Sequence, residues 1–387
     1  MTPSARVQAA IEIVDSVIAS ARDDGPPADQ LVSRYFKTRR YAGSKDRRAV
    51  RELVFQAIRA SDSPADGRSA LLAVEGAADW FDGSPHGPAP LLPGEAAATR
   101  RIVPEWLGPL LSRLVTPDEW PALGERAPLD LRINAARTDR PAMLAQFPDA
   151  VPTALSPWGL RLPADTKVDD QSAFLDGLVE VQDEGSQLIA LACAPADGER
   201  LLDLCAGGGG KALALAAAAP GAAILACDSN RARLSQLGPR AIRAGAAIET
   251  RLLNPPKEIE ELADWASGAD MVLVDAPCSG SGTWRRNPEG RWRLSAARLD
   301  RLEAAQARLL DLAAALVAPG GRLVYAVCSL LSREGAGQIE SFHRRHSSWI
   351  SAGVPIDGGR EDGGGRLLTP AHDGTDGFFV ACLRRSC

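Results

Sequence analysis

The 387-residue chain lacks several features that would assign it directly to a membrane, secreted or metal-binding class. Its first residues do not form a basic leader followed by an apolar block. Its longest apolar run, 212–227, is broken by Pro220 and Gly221. Its seven cysteines form no CxxC pair, and its four histidines have no metal-ligand spacing. We therefore expect a cytoplasmic protein with reduced thiols and without a membrane segment, a disulfide framework or a metal.

The composition is that of a globular protein, with 45% hydrophobic residues, 24% charged residues and a net charge of −5. Positive charge is nevertheless concentrated in two places: nine Lys/Arg lie between Arg34 and Arg59, and six arginines lie between Arg285 and Arg301. Such clusters can pair with phosphates, which favours a nucleic-acid partner, although a solvated helix face has the same charge pattern.

Residue patterns divide the chain into three predicted parts. Residues 1–125 have apolar positions at helical spacing, interrupted by a Pro/Gly-rich loop at 81–95, and predict a helical domain. Residues 126–177 predict a small α+β module. Over residues 178–387 strands alternate with helices, which predicts a parallel sheet with helices on both faces, an α/β Rossmann-like domain. Its predicted strands are RLLDLCA, AAILACD, AIETRLL, DMVLVDAP, GRLVYAVCS and GFFVACLRR.

A glycine-rich turn follows the first of these strands, in LLDLCAGGGGKALAL. Glycines 207–210 let the backbone approach a ligand, and the following helix presents free N–H groups. Asp228 ends the second strand, where an acid faces the hydroxyls of a ribose bound to a doubly wound sheet. A dinucleotide, a nucleotide phosphate and S-adenosylmethionine fit this pattern, as does a tight turn without a ligand. The absence of GxGxxG and GxxxxGK[ST] disfavours the first two ligands.

Two cysteines directly follow predicted strands, Cys278 in DAPCSGSGTWRR and Cys328 in GGRLVYAVCSL. If these strands are neighbours, both thiols face the crevice that holds the cofactor. A thiolate that adds to carbon 6 of a pyrimidine makes carbon 5 nucleophilic towards a methyl group, and a base must then remove the carbon 5 proton. Asp275, three residues before Cys278, is placed to hydrogen-bond ring N3.

These segments resemble the NOL1/NOP2/Sun family of RNA 5-methylcytosine methyltransferases, and their layout is most similar to its bacterial RsmB type. The resemblance rests on VQDEGSQ, LDLCAGGGGK, DAPCSGSGTWRRNP, VYAVCS and DGFFVACL, in that order within residues 178–387. In addition, YAGSKDRRAVRELVFQAIR resembles the helical NusB-like RNA-binding domain of that type, and PLDLRINAAR resembles the start of its small middle module.

The resemblance implies an enzyme that uses S-adenosylmethionine to methylate carbon 5 of a cytosine in RNA, with 16S-type ribosomal RNA favoured over transfer RNA. It makes Cys328 the nucleophile at carbon 6 and assigns Cys278 to product release, as a base or through one. Asp275 would contact the cytosine, and Lys211 would lie near the target base. The cofactor pocket would be lined by Cys205, Ala206, Gly207, Gly208, Gly209, Gly210, Lys211, Asp228, Asn254 and Asp275.

The sequence also departs from the family pattern. The usual CAAPGGK is CAGGGGK here, which removes a proline that would stiffen the loop. Asn254 stands where an acid normally follows the third strand, and an asparagine can still hydrogen-bond adenine. Further departures are Val327 in place of threonine, and Gly335 and Ala336 after Glu334 in place of Asn and Glu.

Two other classes of protein share parts of this pattern. A non-catalytic RNA-binding relative would keep the fold and the basic stretches, but the joint presence of both cysteines, Asp275 and Lys211 disfavours it. A DNA cytosine methyltransferase also uses a Pro-Cys nucleophile, and here the second cysteine and the helical domain argue against it. A small-molecule methyltransferase would have little use for the basic stretches. A monomer is the simplest expectation.

Overall fold

The structure, a computed structural model, describes residues 1–23 and 25–385. Its α-helices are α1 (Pro3–Arg22), α2 (Ala28–Lys37), α3 (Ser44–Ala60), α4 (Gly67–Leu72), α5 (Trp120–Gly124), α6 (Arg140–Gln146), α7 (Ser172–Leu175), α8 (Glu184–Ala192), α9 (Gly210–Ala218), α10 (Arg231–Leu234), α11 (Leu237–Ala244), α12 (Glu258–Glu261), α13 (Ala296–Leu316), α14 (Ala336–Arg345) and α15 (Pro370–Asp373). Short 3-10 helices are Ala77–Trp80, Gly108–Leu110, Pro117–Glu119, Ala263–Trp265, Ser281–Thr283 and Pro288–Arg293. The strands are β1 (Leu129–Ile133), β2 (Val151–Pro152), β3 (Gly159–Leu162), β4 (Val179–Val181), β5 (Arg200–Asp203), β6 (Ala223–Asp228), β7 (Glu249–Leu252), β8 (Ala269–Asp275), β9 (Val317–Val327), β10 (Trp349–Ala352), β11 (Arg360–Asp362), β12 (Gly365–Leu368) and β13 (Phe378–Arg385).

The described chain separates into two compact units. The first contains Met1–Leu111, Thr116–Glu125 and Thr283–Ala296, and the second contains Ser112–Val115, Arg126–Gly282 and the chain from Ala297 onwards. The three predicted domain boundaries stay predictions. The segment Thr283–Ala296, which lies within the predicted Rossmann-like part of the sequence, groups with the helical unit.

The first unit is helical, as the spacing of its apolar residues predicted. Apolar side chains of α1, α3 and α4 form its core, among them Val14, Val54 and Leu71. Thr2 caps α1 by accepting the backbone N–H of Ala5 at 3.2 Å. Caps of this type stabilise a helix by about 1 kcal/mol, because they satisfy a donor that has no acceptor within the helix. The likeness of this unit to NusB stays a prediction.

A buried arginine links the segment Thr283–Ala296 to the end of α3. Arg291 is 2% exposed, and its guanidinium donates to the carbonyl oxygens of Ile58 (2.5 Å), Arg59 (2.9 Å) and Ser61 (2.9 Å). The last carbonyls of a helix have no intrahelical donor, so the guanidinium satisfies them. Burial lowers the pKa of Arg291 to about 10, which still leaves the group charged at neutral pH.

The two basic stretches of the sequence have different surroundings in the first unit. Arg293 donates to the carbonyl oxygens of Gly25 and Pro26, so it and Arg291 bond to the backbone. That part of the second stretch is structural, contrary to the interpretation of the whole stretch as a phosphate-facing cluster. In the first stretch, by contrast, seven of the nine basic side chains are exposed: Arg34, Lys37, Arg40, Lys45, Arg47, Arg48 and Arg51.

The second unit contains two sheets. The smaller one is antiparallel with the order β2-β3-β1-β4, and it therefore continues past the predicted boundary at residue 177. The larger one has the order β11-β12-β13-β9-β8-β5-β6-β7, with β10 paired to β13. Strands β7, β6, β5, β8 and β9 are parallel, and β13 joins β9 antiparallel. The predicted Rossmann-like fold and its six strands are confirmed.

The order of the parallel strands determines where a site can form. The chain turns back between β5 and β8, so the loops after these two strands open a crevice at the carboxyl edge of the sheet. Strand β9 lies next to β8, with Asp275 opposite Ala326. The glycine loop after β5 and the two cysteine loops after β8 and β9 therefore meet at one edge. No helix in the described part of the chain is long and apolar enough to cross a membrane.

The buried guanidinium of Arg291 leads to a stability prediction. Arg291→Ala leaves several carbonyl oxygens without a donor, so we expect the free energy of unfolding to fall by about 3 kcal/mol. Arg291→Lys should lower the free energy of unfolding by nearly as much, because one ammonium group cannot reproduce the planar set of donors of the guanidinium. Urea unfolding followed by circular dichroism measures both losses. The exposed Arg48→Ala is the matched control, and an equal change in Arg48→Ala and Arg291→Ala would contradict this role.

Candidate active site

The glycine loop after β5 has a backbone conformation that favours glycine at two positions. Gly207 and Gly209 have φ values of +56° and +83°, in the left-handed region. A Cβ on Gly209 would lie 2.1 Å from Cδ1 of Leu237, so the helix that covers the loop leaves no room for a side chain. The N–H of Gly209 donates to the carbonyl of Ala206 at 2.8 Å, and α9 begins at the next residue.

Asp228, at the end of β6, holds the glycine loop. Its Oδ2 accepts the N–H of Gly207 at 2.7 Å, and its Oδ1 accepts the N–H of Asn230 at 2.7 Å. Each carboxylate oxygen has a second lone pair, so Asp228 keeps acceptor capacity for ligand hydroxyls. Asp228 thus lies beside the loop, and its contact with a ribose stays a prediction.

The loop and the first turn of α9 fit a nucleoside cofactor. The loop has no side chains at Gly207 to Gly210, so a ligand can approach its backbone, and the first N–H groups of α9 have no acceptor within the helix. Cys205 and Ala206 lead into the loop, and the N–H of Ala206 donates to the carbonyl of Cys227 at 2.8 Å. The first turn of α9 therefore offers backbone N–H donors to an anionic or polar ligand.

Asn254 is less clearly part of this site. It is exposed, and its Nδ2 and backbone N–H both donate to the carboxylate of Glu261 at 2.8 Å. Both bonds hold its amide against α12. A contact between Asn254 and the cofactor stays a prediction.

Lys211 and Asp275 form an ion pair between the start of α9 and the end of β8. Nζ of Lys211 lies 2.6 Å from Oδ2 of Asp275. Burial alone would lower the pKa of Lys211, but the charge and hydrogen bond of Asp275 outweigh it and the pKa is raised. Lys211 is therefore a fixed positive charge, and it also interacts electrostatically with Cys328.

Asp203, which the sequence analysis did not single out, lies beneath this ion pair. It is 1% exposed, and its Oδ2 has no hydrogen-bond partner in the part of the chain that the structure describes. Burial, with the negative charge of Asp275, raises the pKa of Asp203 to about 7, while Lys211 opposes the rise. The available sequence signal was an aspartate inside the apolar run LLDLC.

The two cysteine thiols are in contact. Sγ of Cys278 lies 3.3 Å from Sγ of Cys328. The hydrogen bond with Cys328, together with burial, raises the pKa of Cys278 well above its ordinary value. Cys278 therefore keeps its proton at neutral pH and can share it with the neighbouring sulfur. The expectation that the two thiols face each other agrees with this geometry.

A buried glutamate holds both cysteine loops. Glu334 is completely buried, and its Oε1 accepts the N–H of Ser279 and the Nε2 of Gln306, both at 2.9 Å. Its Oε2 accepts the hydroxyls of Ser279 and Ser329, both at 2.5 Å. These two serines directly follow the two cysteines in the sequence, so one carboxylate determines where both loops lie.

The other described cysteines do not take part in this contact. Cys193, Cys227 and Cys382 are buried, as the sequence analysis expected. Burial raises the pKa of Cys205, which lies at the start of the glycine loop. Among residues 1–23 and 25–385, no group of three or more His, Cys, Asp or Glu could hold a metal ion.

The fold and the site define the class of this protein. A Rossmann-like sheet with a glycine loop after β5 and two thiols after β8 and β9 is the arrangement expected of an S-adenosylmethionine-dependent methyltransferase. A sequence model of the family described as 16S rRNA methyltransferase RsmB/F matches residues 190–384. The chain belongs to this family, which uses S-adenosylmethionine.

Individual relatives agree with this membership. The chain is 34% identical over 292 residues to ribosomal RNA small subunit methyltransferase B of Enterobacter sp. (strain 638), and the match covers 73% of this chain and 67% of that relative. The chain thus spans about two thirds of the length of the curated relatives that it matches.

Solved structures support the fold. The crystal structure of PH0851 matches with a TM-score of 0.77 and 22% identity, covering 100% of this chain and 99% of that one. The crystal structure of NSun6 from Pyrococcus horikoshii with SFG matches with a TM-score of 0.66 and 17% identity, covering 73% of this chain and 97% of that one.

Removing the Glu334 carboxylate should destabilise the protein. Glu334→Ala leaves the buried N–H of Ser279 without an acceptor and removes the carboxylate acceptor of the Ser279 and Ser329 hydroxyls and of the Gln306 amide, and we expect a loss of at least about 3 kcal/mol in the free energy of unfolding. Glu334→Gln keeps one acceptor oxygen and should lose less. Urea unfolding gives both values, with the exposed Glu340→Ala as a control that should change stability by less than about 0.5 kcal/mol. A Glu334→Ala loss no larger than that of the control would contradict the assigned contacts.

The raised pKa of Asp203 predicts a specific pH dependence. The unfolded chain releases this proton near pH 4 and the folded chain near pH 7, so the stability linked to the bound proton is lost as pH rises across that interval. Asp203→Asn cannot ionise and should gain stability relative to wild type between pH 5 and pH 8, by up to about 3 kcal/mol. Urea unfolding at pH 5 and at pH 8 measures the free energy of unfolding of Asp203→Asn relative to wild type. The exposed Asp118→Asn is the control, and its stability relative to wild type should be the same at pH 5 and at pH 8. A stability gain of Asp203→Asn that does not change with pH would contradict the raised pKa of Asp203.

Proposed function

We propose that this protein methylates carbon 5 of a cytosine in RNA, with 16S-type ribosomal RNA as its substrate, by covalent cysteine catalysis. The observation that carries the proposal is the 3.3 Å contact between the sulfurs of Cys278 and Cys328, beside the ion pair of Lys211 and Asp275. Two thiols at the carboxyl ends of neighbouring strands fit a reaction in which one attacks a pyrimidine and the other assists its release.

The surroundings of the two thiols support Cys328 as the nucleophile. Cys278 retains its proton because its pKa is raised, and it can donate that proton towards the sulfur of Cys328. The positive charge of Lys211 also interacts electrostatically with Cys328. When the thiolate bonds to carbon 6 of the cytosine, the electrons of the 5,6 double bond become available at carbon 5.

Asp275 is the residue proposed to hold the cytosine ring. Its carboxylate is oriented by the 2.6 Å ion pair with Lys211, and it lies at the end of β8, three residues before Cys278. When ring N3 of the covalent adduct carries a proton, a carboxylate at this position can accept the N3–H hydrogen bond and stabilise the adduct. Lys211 would then lie beside the same base, as the family resemblance implies.

Product release requires removal of the carbon 5 proton after methylation. A base takes this proton, the carbon–hydrogen electron pair restores the 5,6 double bond, and the sulfur of Cys328 leaves with the electrons of its bond to carbon 6. Cys278 is the proposed base, or the group through which the base acts, because its sulfur is 3.3 Å from the leaving sulfur. To act as the base itself, Cys278 would first transfer its own proton to a water molecule; when it acts through water, its thiol keeps its proton and a water molecule takes the carbon 5 proton.

The cofactor is proposed to bind along the glycine loop, and it supplies the methyl group that carbon 5 receives. Asp228 would accept ribose hydroxyls, and the loop backbone from Cys205 to Lys211 would approach the rest of the ligand. Asp275 would close the pocket from β8. Asn254 is proposed as a further contact, on its sequence position alone.

The exposed basic side chains of the helical unit support an RNA partner. Seven lysines and arginines between Arg34 and Arg51 are exposed, although the net charge of the whole chain is −5. Local positive charge of this kind binds phosphates whatever their sequence. We propose that the unit holds RNA, and that the protein acts as a cytoplasmic monomer.

The proposed chemistry predicts distinct results for the two cysteines. On unmodified 16S ribosomal RNA with labelled S-adenosylmethionine, wild type should form 5-methylcytidine, and Cys328→Ala should lose at least about 100-fold in rate. Cys278→Ala should accumulate a covalent protein–RNA complex that survives denaturing electrophoresis, because release is blocked. Cys382→Ala, at a buried position in β13, is the matched control and should keep the wild-type behaviour.

Other outcomes distinguish the alternatives. Full activity in Cys328→Ala would overturn the assignment of the nucleophile. Labelling of transfer RNA instead of ribosomal RNA would leave the chemistry intact and replace the substrate. A wild-type protein that binds RNA but neither binds the cofactor nor labels any RNA would be a non-catalytic relative.

A further inference from the structure

An arginine side chain bonds the backbone of the glycine loop at the position where the family pattern has a proline. In CAGGGGK, Gly208 occupies the position of the proline in the usual CAAPGGK. The carbonyl oxygen of Gly208 accepts a hydrogen bond from Nη1 of Arg240, on α11. The loop backbone is therefore held by a side chain at the position where the family pattern holds it with a ring.

The other end of the Arg240 guanidinium is anchored. Its Nη2 donates to Oε2 of Glu180 at 3.0 Å, and Glu180 is 5% exposed in β4 of the small sheet. Arg243 bonds the second carboxylate oxygen of Glu180. Because Glu180 is held from two sides, Arg240 connects the glycine loop to a fixed point and not to a mobile surface group.

A side chain at position 208 would crowd the Arg240 guanidinium. A Cβ on Gly208 would lie 3.2 Å from Nη1 of Arg240, which is a tight contact, and 3.4 Å from Oε1 of Gln236, which is an ordinary one. Within the described residues the N–H of Gly208 donates no hydrogen bond, so a proline would break none. A ring and the guanidinium are thus two alternative ways to restrict the same peptide.

We propose that Arg240 is a positioning residue for the cofactor, which compensates for the missing proline by fixing the peptide after Gly208. A glycine that is free to rotate must lose conformational freedom when a ligand binds, and this loss weakens binding. The hydrogen bond from Arg240 restricts the loop before the ligand arrives. This inference rests on the proposed use of the loop as the S-adenosylmethionine site.

The test measures cofactor affinity without any methyl transfer. Calorimetric titration of the full chain with S-adenosylhomocysteine should show about tenfold weaker binding for Arg240→Ala than for wild type, which is the effect of losing one charge-assisted hydrogen bond. Arg240→Lys should also bind more weakly, because a single ammonium group is a poor replacement for a fork that bonds Gly208 and Glu180 together.

The double variant carries the specific prediction. Gly208→Pro combined with Arg240→Ala should recover binding to within about threefold of wild type, since the ring restores the restriction and the space is free. Gly208→Pro alone should bind more weakly than the double variant, because the ring meets the guanidinium. Hydrogen exchange of the loop amides should be faster in Arg240→Ala and slow again in the double variant.

Arg243→Ala is the matched control. Arg243 bonds the same Glu180 carboxylate but is not bonded to the loop, so its loss removes one support of Glu180 and should weaken affinity much less than Arg240→Ala does. Equal weakening by Arg243→Ala and Arg240→Ala, or no recovery in a double variant that thermal melting shows to be folded, would overturn the inference. A wild-type protein that binds no S-adenosylhomocysteine would instead overturn the proposed function on which the inference rests.

Discussion

The site depends on one buried carboxylate between two loops. Glu334 bonds the serine that follows each cysteine, at 2.5 Å to both hydroxyls, and Gln306 of α13 adds a third source of donors. Burying a carboxylate without hydrogen-bond donors would cost stability, and so would burying these donors without an acceptor. The carboxylate and its donors therefore depend on each other. The sheet brings the ends of β8 and β9 to the same edge, and Glu334 then fixes the loops so that two sulfurs touch.

Two departures from the family pattern can be understood from the residues that surround them in this chain. A Cβ on Gly335 would lie 2.8 Å from Cγ of Phe379, so the asparagine usual at this position has no room beside that ring. Gly208 is likewise matched by Arg240, whose guanidinium holds the loop carbonyl. Substitutions at residues in contact are not independent, so a departure from the family pattern has to be assessed together with the residue that it contacts.

Much of the fold and of the candidate site followed from the sequence, because the alternation of strands and helices is a local pattern and the carboxyl ends of parallel strands meet at one edge of a sheet. That reasoning predicted the six strands and the proximity of Cys278 and Cys328. It missed the role of Asp203, which emerges only from burial beside Asp275. It also misjudged Arg291, because the backbone carbonyls that this arginine bonds have no signature in any sequence. Long-range polar contacts of this kind depend on the folded chain.

The central claim is that the sulfur of Cys328 bonds to a cytosine in RNA. The most direct measurement is trapping with RNA that carries 5-fluorocytosine, because fluorine at carbon 5 leaves no proton to remove and the adduct persists. Tryptic digestion then separates the two thiols, with Cys328 in the peptide 323–333 and Cys278 in the peptide 258–285. We predict that mass spectrometry finds the nucleotide on the 323–333 peptide. A nucleotide on the 258–285 peptide, or no adduct with RNA that the protein binds, would contradict the account.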